Sequence, residues 1–147
     1  MIWKPHATVA AIIENNGRFL MVEEESEGAI VYNQPAGHLD PDESLIDAVI
    51  RETLEETAWQ FQPEAITGIY RWIHPESGRT YIRTAFCGLC ANHNPELALD
   101  DGIIRAVWLS REELLMQPDK LRSPMVLKCI DDYLAGHRYP LELLTDL

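Results

Sequence analysis

Residues 37 to 56 constrain this chain more than any other stretch, because three of their carboxylates (Glu52, Glu55 and Glu56) crowd one flank of a helix-forming segment. Asp40 reads as a helix cap, Pro41 as a first-turn residue, and Glu43, three positions after the cap, as its capping-box partner. The expected helix runs from 41 to 57. At about 100° per residue, Leu45, Ile46, Val49, Ile50, Thr53 and Leu54 share one side, and Glu52, Glu55 and Glu56 share an arc of about 100° on the other. Like charges at three- and four-residue spacing repel each other and weaken a helix. Arg51, four residues before Glu55 and four after Asp47, offsets only part of that charge. The remainder suits a hard divalent cation with oxygen ligands, Mg²⁺ first and Mn²⁺ as its substitute, which leaves positions open for water and a substrate phosphate. Glutamates clustered on a helix are, taken alone, most often a solvated face.

The rest of the stretch shifts that balance. Gly37, Glu43, Arg51, Glu52, Glu55 and Glu56 stand at separations that chance seldom reproduces, and together they resemble the signature of the Nudix family, G-x5-E-x7-R-E-U-x-E-E-x-G-U with U apolar. Thr53, Ala58 and Trp59 depart from it. Thr53 adds a hydroxyl that must be satisfied, and Ala58 makes a left-handed helix cap costlier than glycine would. Neither touches a candidate ligand. Further short matches, Lys4-Pro5-His6, Asn33 to Leu39, Arg122-Ser123-Pro124 and Arg138 to Glu142, resemble the NudJ phosphatase branch of the family over most of the chain.

The resemblance implies an α/β/α sandwich with a mixed sheet and a central loop-helix-loop metal site. It also implies hydrolysis of a phosphoanhydride, a reaction that rewards charge stabilisation and positioned water rather than covalent chemistry. The expected substrates are nucleoside tri- and diphosphates or the thiamine-precursor pyrimidine pyrophosphate. The alternatives are pyrophosphohydrolysis of a nucleoside diphosphate linked to another group, RNA cap removal, which the net charge disfavours, and a non-catalytic nucleotide-binding module, which would be expected to have lost its ligand carboxylates.

On this reading Glu52, Glu55 and Glu56 bind the metal, with Gly37 contributing a backbone carbonyl or a close approach. Arg51 orients the glutamates, and Glu43 stabilises the loop-helix junction. Glu55 is the first choice as base for the attacking water and Asp101 the second. Tyr32, Trp72 and Tyr81 are candidates to stack on a heterocycle, and Asn33, Gln34, His74 and Arg83 to meet ring edges or phosphate oxygens. His38 stands beside Gly37 in the loop. Each of these fits an ordinary strand, core or surface role as well.

A chain of 147 residues is expected to form one domain spanning 1–147. The net charge of −12 argues against general binding of nucleic acid or anionic membranes, so a phosphorylated small molecule needs a metal or a local basic patch. The N-terminal residues lack the apolar run of a secretion signal, and no later run is long enough to span a bilayer, so a soluble, cytoplasmic monomer or homodimer is expected. Three cysteines, Cys87, Cys90 and Cys129, do not suggest a disulfide framework. Cys87, Cys90 and His93 have zinc-like spacing, but Cys87 and Cys90 would point to opposite faces of a strand, which favours buried thiols.

The expected strands are Thr8–Ile13, paired in a hairpin with Phe19–Val22 across Asn15-Asn16-Gly17, then a short one in 31–39, Ile66–Ile73, Tyr81–Ala91 and Ile103–Leu109. Glu23 to Gly28 reads as an exposed charged loop. Ser110 and Glu113 form a capping box, Ser123 and Pro124 open a last helix that Gly136 stops, and the tail from Tyr139 to Leu144 docks on the domain.

Overall fold

Val9, Ala10, Ala11, Ile12 and Ile13 are each no more than 1 % exposed, which a strand achieves only when both of its faces are covered. A computed structural model describing residues 2–147 shows what covers them. Its strands are β1 (His6–Ile12), β2 (Glu14–Asn15), β3 (Arg18–Ser26), β4 (Ala29–Asn33), β5 (Ala36–His38), β6 (Gln60–Ile73), β7 (Thr80–Ala91) and β8 (Ile103–Ser110). Its helices are α1 (Leu45–Thr57), α2 (Arg111–Leu115) and α3 (Met125–Leu134), with single 3₁₀ turns at Pro118–Lys120 and Leu141–Leu143.

One sheet has the order β5-β1-β7-β6 and is mixed: β1 runs parallel to β7, and the outer pairs are antiparallel. The other is built on β3, which pairs antiparallel with β2, β4 and β8. Because successive strand residues face opposite ways, β1 divides its side chains between two cores. Val9 and Ala11 pack with Ala48 and Val49 of α1, and Ala10 and Ile12 pack with Val126, Cys129 and Ile130 of α3. In β7, Phe86 joins the first core while Ala85 and Cys87 join the second, and Leu20 of β3 opposes Phe19 and Met21 in the same way. The result is an α/β/α sandwich, as expected.

Several local expectations need correction. The helix begins at Leu45, and its N-cap is Ser44 rather than Asp40, the Ser44 hydroxyl accepting a 3.0 Å bond from the Asp47 N–H. Asp40 and Glu43 do bond, the Asp40 N–H donating to Glu43 Oε1 at 3.0 Å, but they close a turn. Asp42 inside it sits at φ +61°, a backbone that no helix contains. The C-terminal end matches the expectation for Ala58, which takes the left-handed cap conformation at φ 62°, ψ 17°. β6 starts at Gln60, well before Ile66, and accommodates Pro63 beside a register shift on what is an edge strand.

β1 does not pair with Phe19–Val22. The tight hairpin joins β2 to β3 across Asn16-Gly17, whose φ values of 52° and 81° make the left-handed turn such connections favour. Glu23 to Ser26 is strand rather than loop, and Glu27-Gly28 is the turn into β4.

Cys87 packs in the α3-side core and Cys90 against the α1-side core, so the pair does not converge; His93 stacks on Trp59 instead, with ring centroids 4.7 Å apart. Ser110 and Glu113 form their capping box, and the Ser123 hydroxyl accepts from the Met125 N–H at 3.2 Å where α3 begins. The tail docks through paired 2.8 Å backbone bonds between Ile66 and Tyr139. Among the described residues no helix is long and apolar enough to cross a membrane.

Candidate active site

α1 carries its acids on the flank that turns past β5. Arg51 is their hub. Its Nε donates to Glu43 Oε2 at 2.7 Å and its Nη2 to Glu43 Oε1 at 3.0 Å, a two-point ion pair. Nη2 also reaches the His38 carbonyl at 3.1 Å, while Nη1 donates to Glu52 at 2.8 Å and to Glu55 at 3.2 Å. One guanidinium therefore ties the turn before α1, the β5 backbone and two of the three glutamates together. The Glu43 hydrogen bond, with Glu52 beside it, holds Arg51 above its ordinary pKa. Arg51, together with the Asp40 N–H, holds Glu43 below the usual carboxylate range.

Glu52 and Glu56 are 9 % and 8 % exposed. Burial pushes Glu52 above its ordinary pKa against the pull of Arg51. Burial pushes Glu56 up to about 9, because the single Ala36 N–H that it accepts, at 2.9 Å, does not offset desolvation and the charges of Glu52, Glu24 and Asp100. Gly37 lies so close to the Glu52 carboxyl that a Cβ there would collide with it.

The β7–β8 loop brings one further acid. Carboxylate oxygens of Glu52, Glu55 and Asp100 lie within 4.8 Å of one another, and the Asp100 N–H donates to the Glu55 carbonyl at 3.0 Å. Asp101 is exposed in the turn that follows and does not join this group. Three oxygen donors drawn together, in a neighbourhood whose negative charge exceeds what Arg51 offsets, are a donor set fit for a hard divalent cation. Glu56, the remaining expected ligand, lies one helical turn past Glu52 and lines the neighbouring cavity with it.

Beside these acids a cavity of about 350 Å³ opens between the mixed sheet, Glu24 and the start of α3. Asn33, His38, Trp72, His74, Tyr81 and Arg83 line it. Trp72 and Tyr81 stack with centroids 5.9 Å apart, and His6 joins Tyr81 at 5.2 Å and His38 at 5.3 Å. Two candidates fall elsewhere. Tyr32 is buried in the α3-side core, and Gln34, 1 % exposed, donates to the Val126 carbonyl at 2.7 Å. Sequence reasoning missed the Glu24–Arg122 ion pair (2.6 Å) on the cavity wall, along with Thr8, Ser123 and Met125. Alternation along β3 signals Glu24 once that segment is read as strand; nothing in the sequence singles out Asp100 over Asp101.

The family model of the NUDIX domain matches residues 4–128. The chain belongs to the Nudix family. It is 41% identical to the phosphatase NudJ of Escherichia coli K12 over 145 residues, 99% of this chain and 94% of that one. A Nudix hydrolase from Nitrosomonas europaea superposes with a TM-score of 0.96 at 49% identity, covering 98% of each chain. A MutT protein from Methanosarcina mazei Go1 does so at 0.73 with 25% identity, covering 94% of this chain and all of that one. This Nudix hydrolase accommodates its departures from the signature locally: the Thr53 hydroxyl donates to the Val49 carbonyl at 2.7 Å, and Ala58 takes the cap that glycine would.

Proposed function

We propose that this Nudix hydrolase cleaves a phosphoanhydride bond of a nucleoside tri- or diphosphate, or of the thiamine-precursor pyrimidine pyrophosphate, releasing phosphate with Mg²⁺ or Mn²⁺ as cofactor. The observation that carries the reading is the convergence of Glu52, Glu55 and Asp100 oxygens beside a cavity walled by aromatic rings. Identity to a NudJ phosphatase over nearly the full chain supports phosphate as the released group.

Glu52, Glu55 and Asp100 would hold the ion, with Glu56 and the Gly37 backbone completing its surroundings. When bound, the ion stabilises charge spreading over the phosphoryl oxygens and makes a coordinated water more acidic. Arg51 keeps Glu52 and Glu55 aimed together. Glu55, with its side chain 37% exposed, is the most accessible of the three glutamates and takes the proton from the attacking water. Arg122, partly exposed beside Glu24, meets phosphate oxygens, and the Trp72–Tyr81 wall receives the organic group.

The test is to follow orthophosphate and pyrophosphate over a panel of nucleotides and cofactor pyrophosphates, first with Mg²⁺ and then with chelator. Metal-dependent orthophosphate release supports the proposal. Pyrophosphate as first product favours the pyrophosphohydrolase alternative, and ligand binding without turnover favours a module.

A further inference from the structure

We propose that Asn33 reads the edge of the substrate's ring, offering its amide NH₂ to a carbonyl oxygen, and that Arg83 is the positioning residue that fixes it in that orientation. The inference deepens the reading of the cavity as the substrate pocket and rests on it. Arg83 is 3 % exposed, yet its hydrogen bonds go to neutral partners: Gln34 Oε1 at 2.8 Å, Asn33 Oδ1 at 3.0 Å and the Cys129 sulfur at 3.8 Å. A guanidinium has donors only, so both amides must turn their oxygens to it. Each amide then has an NH₂ left to place.

Gln34 spends its own on the Val126 carbonyl at 2.7 Å. Asn33 has no such partner among the described residues. The only buried side-chain polar atom without a partner among them is Arg83 Nε, so the Asn33 NH₂ is not sealed off, and Asn33 lines the cavity. Flipping the amide would set NH₂ against guanidinium, so the donor cannot become an acceptor. The cavity therefore has a donor of fixed sense on its wall.

Sheet register says what that donor meets. Trp72 and Tyr81 are direct partners across β6 and β7, and Tyr70 and Arg83 are the next pair on the same face, about 7 Å along the strand. A ring laid against the Trp72–Tyr81 wall presents its edge toward the Arg83–Asn33 pair, whereas the phosphates are drawn to the acids of α1 and the ion they would hold. The ligand class is a heterocycle bearing a carbonyl acceptor on that edge.

The test measures dissociation constants of UMP, IMP and ribose 5-phosphate by calorimetry with Mg²⁺ present, for the wild type, Asn33→Asp, Asn33→Ser and Gln34→Glu. Asn33→Asp keeps an oxygen for Arg83 but replaces the donor by an acceptor. Any general repulsion of phosphate cancels when UMP or IMP is compared with ribose 5-phosphate. The dissociation constant of ribose 5-phosphate divided by that of UMP or IMP is expected to fall roughly fivefold in Asn33→Asp, the usual net worth of a hydrogen bond, to fall likewise in the uncharged Asn33→Ser, and to hold in Gln34→Glu. A ratio within about twofold of wild type in both Asn33 variants overturns the inference, as does a wild type that binds neither UMP nor IMP. Binding needs no turnover, so parallel phosphate-release assays separate failure of this inference from failure of the proposed reaction.

Discussion

The Glu52 carboxyl rests directly against Gly37, leaving no room for a side chain there. Gly37 does not lie in the left-handed backbone region, so alanine is unstrained at that position and the collision alone is at stake. Gly37→Ala is expected to fold normally by circular dichroism and to lose roughly 10- to 100-fold in kcat/KM, as when the support of a metal ligand is removed. Activity within about twofold of wild type would mean that the Glu52 position is unimportant to turnover.

Arg51 makes contacts to Glu43, Glu52, Glu55 and the His38 carbonyl from one planar group. A lysine ammonium cannot reproduce that fork. Arg51→Lys is expected to lower kcat by roughly 10- to 100-fold, with a smaller effect on KM, since it misaims the acids without removing them. Steady-state kinetics checks the split, and a purely KM effect would contradict the orienting role.

The carboxylate flank of α1 was legible because helix periodicity alone brings Glu52, Glu55 and Glu56 together, and the apolar runs of β1 and β7 announced strands, though not that both faces of β1 are covered. The start of α1 was not: Asp40, Pro41 and Glu43 satisfy the cap pattern, and only the positive φ of Asp42 diverts them into a turn. Glu24 looked solvated among acidic neighbours, but strand alternation turns it inward to 9 % exposure against Arg122. Tyr32 and Gln34 carry chemistry suited to a pocket and are consumed by the core and by Val126, which depends on tertiary placement that no local pattern encodes. Asp100 and Asp101 are adjacent identical residues whose roles are separated only by the backbone bond from Asp100 to Glu55.

Away from the site, Asp132 accepts from Lys128 at 2.9 Å and from the Tyr70 hydroxyl at 2.8 Å, with His137 at 3.7 Å. Burial raises its pKa, but these bonds more than offset it and leave the carboxyl below its ordinary value. A depressed folded pKa gives stability that is present above the unfolded value, about 3.9, and lost as pH falls through the folded one. Urea unfolding of wild type and Asp132→Asn is expected to show a gap that is constant from about pH 7 to 5 and closes below about pH 4. A gap that widens on acidification would contradict the sign.

The most direct measurement is Mn²⁺ affinity, by electron paramagnetic resonance, for wild type, Glu52→Gln, Asp100→Asn and Asp101→Asn, each checked for folding. One tight site is expected in the wild type, weakened at least roughly tenfold in Glu52→Gln and Asp100→Asn and unchanged in Asp101→Asn. Equal affinity in all four proteins would contradict a metal centre built on these oxygens.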